Sequence, residues 1–173
     1  MIRTAIFILS CGFLASAPVL AQEQATPTCT AVAAPPAELA GWSRSVSLSS
    51  ASSSYAARKV RLKAGESAIL ALHETENMRY AAPLKKQSEA NSFGGLARID
   101  VREAGTYRIA LGSRAWVDIV SGQTAITSIA HSHGPDCTGI RKMVDFPLTP
   151  GRYNVQIADS EQPEIKLLVT RLP

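Results

Sequence analysis

The sequence predicts an all-β chain: a single antiparallel β-sandwich, jelly-roll-like, of about eight or nine strands, preceded by an extended N-terminal arm. Three observations predict it. From Arg58 onward, short segments alternate apolar and polar residues with period two, the mark of a half-buried strand. Gly- or Pro-containing turns separate most of these segments: Ala64-Gly65, Ala104-Gly105, Ser121-Gly122, Pro150-Gly151. No window sustains a helical period beyond about two turns.

The chain opens with Arg3, an apolar run from Ala5 to Ala15, and the small or apolar residues Val19-Leu20-Ala21. A basic head, an apolar middle and a small-residue cut site predict a secretory signal peptide over residues 1–21. The run is too interrupted and too short for a membrane span. Cleavage after Ala21 leaves 173 − 21 = 152 residues, one domain's worth, placed in the periplasm or outside the cell. It also removes Arg3, so 18 − 1 = 17 basic residues face 14 acidic ones, a net charge of +3. That mild and scattered charge argues against nucleic-acid binding.

Residues 22–44 are rich in Ala and Pro and read as the extended arm; residues 45–173 form the sandwich. Residues 45–57, "SVSLSSASSSYAA", hold one weak strand and a loop. In "RKVRLK" (58–63), Val60 and Leu62 face the core, while Lys59, Arg61 and Lys63 form a basic face. That face is either solvated or turned to anionic envelope lipid or polysaccharide. "ESAILALH", "LARIDV", "TYRIAL", "AWVDIV", "TAITSIA", "KMVDF", "RYNVQI" and "EIKLLVTRL" continue the series. Two of these echo one another: "EAGTYRIAL" and "TPGRYNVQI" align Gly105 with Gly151 and Tyr107 with Tyr153. In each, the glycine makes the turn and the tyrosine opens a strand whose alternate residues share one face.

Chemistry concentrates in "HSHGPDCTGIRK" (131–142). His131 and His133, two apart on an extended chain, lie on one face and could chelate one ion, with His73 or Asp136 as a third ligand. Gly134-Pro135 breaks the strand at once, so the rival reading is a structural loop. Of three cysteines, Cys11 leaves with the signal peptide; Cys29 and Cys137 have a single intramolecular pairing in an oxidising compartment. That disulfide closes a loop of 137 − 29 = 108 residues; a thiolate metal ligand is the alternative. Asp118 and Asp145, acids inside apolar strands, are expected to face solvent or to pair with an arginine such as Arg141. Trp42 and Trp116 are expected in the core or over a sheet edge, with a sugar-binding surface tryptophan as the alternative. There is no G-x-S-x-G, HExxH, P-loop or GxGxxG.

The blocks "GWSRSVSL", "FGGLARIDVREAGTYRIALGSRAWVDIVSG" and "SIAHSHGPDCTGIRKMVDFPLTPGRYNVQI" resemble a family of small exported proteins from sphingomonad-type alphaproteobacteria. Its members often carry the name homogentisate 1,2-dioxygenase. The resemblance implies an Fe(II) enzyme that opens the homogentisate ring, with His131 and His133 as iron ligands and Asp136 as the nearest carboxylate. Homogentisate dioxygenases themselves are larger cupin-type proteins that hold iron with two His and a Glu. Here no Glu follows His133 until Glu161, and "TPGRYNVQI" lacks the second motif's His. The "aGtYr" hairpins look like those of prepeptidase-type β-sandwich domains. Together these readings predict an exported sandwich with a non-catalytic binding or envelope-accessory role, no cofactor, and an envelope component or small ligand as partner. The Fe(II) dioxygenase and a glycan-binding module stand as alternatives.

Overall fold

A computed structural model describes residues 28–85 and 88–173; the expected signal peptide, residues 1–21, lies outside them. Two mixed β-sheets pack face to face. The first runs in the order β1 (Ser45–Ser49), β3 (Ser67–Ala71), β12 (Glu164–Arg171), β6 (Gly105–Leu111), β10 (Lys142–Leu148), β9 (Ala130–Ser132). The second runs β2 (Arg61–Leu62), β5 (Phe93–Val101), β11 (Gly151–Ser160), β7 (Trp116–Ser121), β8 (Thr124–Ala125), with β4 (His73–Glu74) also paired to β5.

Most pairings are antiparallel, as expected, but β1–β3 and β2–β5 are parallel. The physical reason is the route of the chain. It alternates between sheets (β1 in the first, β2 in the second, β3 back in the first), and a strand that returns after crossing over runs parallel to its neighbour. Segments expected as single strands divide for the same reason. "RKVRLK" is a strand only at Arg61–Leu62, and "TAITSIA" breaks into β8 and β9, which belong to different sheets.

Period two accounts for the core. Tyr107, Ile109 and Leu111 of β6 interleave with Val144, Phe146 and Leu148 of β10 and with Ile165, Leu167 and Val169 of β12. From the second sheet come Ile99, Val117, Ile119, Tyr153, Val155 and Ile157. The echoed turns have one shared device. Tyr107 Oη donates to the Glu103 carbonyl at 3.0 Å and Tyr153 Oη to the Thr149 carbonyl at 2.9 Å, each four residues upstream. A buried tyrosine thus ties down the turn that precedes its own strand, as in the tyrosine corner of other sandwiches.

Each sheet also buries part of its outer face. On the first, the arm does not stay extended: Ala37–Ser43 winds into a 3₁₀ helix. Its Leu39 and Trp42 cover Ala110, Met143 and Leu168, with Ile140 from the loop before β10. Gly41 is required there, because a Cβ at that position would run into the carbonyl of Gly65. The Cys29–Cys137 disulfide is present, with Cα atoms 5.4 Å apart, and Ala33 N–H donates to the Cys137 carbonyl at 2.8 Å. On the second sheet, the single helical turn α1 (Ser54–Ala57) and the segment around Ala81-Ala82 cover Leu96 and Val120. Buried Gln156 clamps that segment: its Oε1 accepts from the backbone N–H of Ala81 and Ala82, and its Nε2 donates to the Ala82 carbonyl. Among the described residues, no helix is long and apolar enough to cross a membrane.

Candidate functional site

The three histidines do not converge. His131 sits in the edge strand β9, opposite Val144, and His133 follows it; both are exposed. His73 opens β4, opposite Gly94 of β5, and so belongs to the second sheet, whereas β9 is an edge strand of the first. Its Nε2–H donates to the Ser50 carbonyl at 2.9 Å. Of the expected set of His131, His133 and His73, the fold places the first two at one edge of the first sheet and the third in the other sheet. Among the described residues, no three His, Cys, Asp or Glu side chains gather where they could hold a metal ion. Cys137 is in the disulfide. The described residues thus assemble no donor set that fits an iron centre.

The loop that carries the two histidines is built for closeness. A Cβ on Gly134 would collide with the carbonyl and side chain of Ile140, and Cys137 takes a positive φ of 61°. Trp42 Nε1 donates to the Thr138 carbonyl at 3.0 Å, so this loop is fastened to the arm by a covalent bond and an indole hydrogen bond.

Of the two acids, Asp145 has an arginine partner as expected and Asp118 departs from expectation. Asp145 pairs with Arg108 and not with Arg141: Arg108 Nε and Nη2 donate to its two oxygens at 2.8 and 2.9 Å. The two face each other because they are register partners on β10 and β6. Asp118, a register partner of Gln156, is buried on the outer face of the second sheet, not turned to solvent. The basic stretch is largely compensated within the fold. Arg58 lies over the Tyr55 ring, Arg61 pairs with Asp100, and Lys63 with Glu66.

One arrangement remains that looks outward. At one end of the sandwich an open cleft of about 520 Å³ lies between the start of β7, the start of β10, the end of β11 and the loop before β5. Trp116, at the first position of β7, is 36% exposed in it. Alternation explains the placement: Val117 and Ile119 point into the core, so Trp116 and Asp118 point out. The indole is oriented by Nε1–H donating to Asp118 Oδ2 at 2.9 Å. Lys142 Nζ stands 5.3 Å from the ring centroid and donates to the Ala115 carbonyl at 3.1 Å; Lys85 Nζ stands at 5.8 Å. Glu89, Arg114, Asp159 and Glu161 complete the charged rim, with Arg114 Nη1 donating to Glu161 at 2.8 Å. Of the three non-glycine residues with positive φ among the described residues, two, Asn91 and Asp159, line this cleft.

Burial sets the electrostatics underneath. It pushes the Asp118 carboxyl above its ordinary pKa, against the pull of the Trp116 N–H, Lys85, Gln156 and Lys142. It pushes the Lys142 ammonium below its ordinary value, partly restored by Asp118 and opposed further by Arg114. Sequence reasoning named Trp116 and Asp118 but missed Lys142, Lys85 and the rim. These come from four separate segments, and only the fold brings them together.

Compared with known proteins, the chain matches no family model and no curated protein.

Proposed function

We propose that this is an exported, non-catalytic binding protein of the cell envelope, and that its ligand sits in the cleft around Trp116. The observation that carries the reading is the half-exposed indole, fixed by Asp118 and set among opposite charges in a cleft large enough for a small ligand. Export to the periplasm or beyond, with the signal peptide removed after Ala21, is supported by the Met1–Ala21 pattern and by the disulfide, which persists in oxidising compartments. Retention of the purified protein on envelope material from its host tests the reading. Trp116→Ala is expected to weaken retention about tenfold or more, the usual effect of losing a central aromatic anchor. Equal retention of both proteins, with matching circular dichroism, would contradict it.

A further inference from the structure

We infer that the cleft takes a neutral carbohydrate. The inference rests on the binding role proposed above and names its ligand class. Three features of the cleft lead to it. First, its charge is nearly balanced and not positive. Among the described residues that line it, the carboxylates Glu89, Asp159 and Glu161 stand against Arg114 and Lys142, with Arg114 and Glu161 already paired; beside the indole, Lys85 is matched by Asp118. An anionic ligand therefore meets no net field of the opposite sign, and burying its charge there costs desolvation without a matching return. Second, the rim offers donors (the Lys142 ammonium, the Arg114 guanidinium) and acceptors (the carboxylates) around one small volume. A hydroxyl group both donates and accepts, so a polyol can use both kinds. Third, the lining includes a partly exposed indole, a rigid apolar surface with its polar edge already satisfied by Asp118. Sugar rings combine an apolar C–H face with a hydroxyl perimeter, and that is the combination the cleft presents. A volume of about 520 Å³ suits a ligand of one or two such rings.

The two lysines over the ring have different parts. Lys142 is half-buried and held by the Ala115 carbonyl. Lys85 is exposed, and its ammonium is the farther of the two from the ring, so it is the one a seated sugar ring displaces into solvent. Removing Lys85 thus gives opposite signs for the two ligand classes. It leaves a neutral sugar bound as well or a few-fold tighter, and it weakens an anionic one.

The experiment is calorimetric titration of the full, disulfide-bonded chain with neutral hexasaccharides (cellohexaose, maltohexaose, xylohexaose) and with acidic ones (oligogalacturonate, oligomannuronate). The expected result is binding of at least one neutral probe, about tenfold tighter than any acidic probe and weakened about tenfold or more by Trp116→Ala. Raising the salt from about 50 to about 500 mM should change that affinity less than twofold, because no ion pair with the ligand is screened. Lys85→Ala should leave it unchanged or stronger. Tighter, salt-sensitive binding of an acidic probe that Lys85→Ala weakens would overturn the inference, as would no binding of any neutral probe. In either case Trp116-dependent retention on envelope material would show that the cleft binds another class of ligand. Loss of that dependence would remove the binding role itself.

Discussion

The two tryptophans have nearly the same partners and opposite roles. Each donates its indole N–H to an oxygen, Trp42 to the Thr138 carbonyl and Trp116 to Asp118, and each carries a lysine ammonium near its ring. Each lies against the outer face of a sheet. Yet Trp42 is 4% exposed and Trp116 is 36% exposed. The difference is what covers them. Over the first sheet the arm closes completely, fixed at one end by the disulfide and at the other by the 3₁₀ helix packing on Ala110 and Leu168. Over the second sheet the Gln156-clamped segment reaches the β7 start only with Leu84 and the exposed Lys85, and the indole is left partly exposed in a cleft. A tryptophan's chemistry does not decide whether it is structural or available; the completeness of the layer above it does.

The sharpest way to break that contrast is to release the arm. Replacing Cys29 and Cys137 with serine opens a loop of 108 residues and is expected to cost roughly 4–5 kcal/mol by the chain-entropy account. Equilibrium unfolding in urea measures it, and a cost under about 1 kcal/mol would mean the arm is held without the bridge. Next in size is Trp42→Ala, which empties a buried site and orphans the Thr138 carbonyl; a loss of about 3–5 kcal/mol is expected. Trp116→Ala should cost under about 1 kcal/mol in the same assay, since its ring is partly solvated already. Similar costs for the two substitutions would erase the distinction.

A smaller effect probes the ground beneath Trp116. Because burial raises the Asp118 pKa, its contribution to stability is fully present below the ordinary value of 3.8 and is lost as pH rises through the folded value. Asp118→Asn retains an acceptor for the indole and removes the buried charge. The variant is therefore expected to be more stable than the parent at neutral pH by about 1 kcal/mol or less, the favourable pull of Lys85 and Lys142 limiting the gain. The advantage should vanish as pH falls to about 3.8. Thermal unfolding across that range checks the sign.

Much of the fold was legible because period two is a local signal. β6, β7, β10, β11 and β12 lie where alternation and turn residues put them, and the Tyr107/Tyr153 echo marks a real repeated device. The disulfide was legible because two cysteines allow one pairing. Parallel edge pairs were not legible, since they depend on which sheet a strand enters after a crossover. The arm's 3₁₀ helix was hidden because seven residues, Ala37–Ser43, are too few to display a helical period. Of the site, the sequence offered Trp116 and Asp118 but gave Trp42 equal standing and drew attention to His131 and His133, whose spacing is suggestive only while their neighbours are unknown. Lys142 opens a strand whose buried pattern conceals it, and nothing local ties it to Trp116, 26 residues earlier.

The most direct measurement follows the two indole N–H signals in a ¹H–¹⁵N spectrum of the oxidised protein while a bound ligand, a neutral hexasaccharide first, is titrated in. The account predicts that the Trp116 signal moves in proportion to saturation and that the Trp42 signal stays fixed. A shift of Trp42 with Trp116 unmoved would contradict it, for the ligand would then sit against the sealed face of the molecule and not in the open cleft.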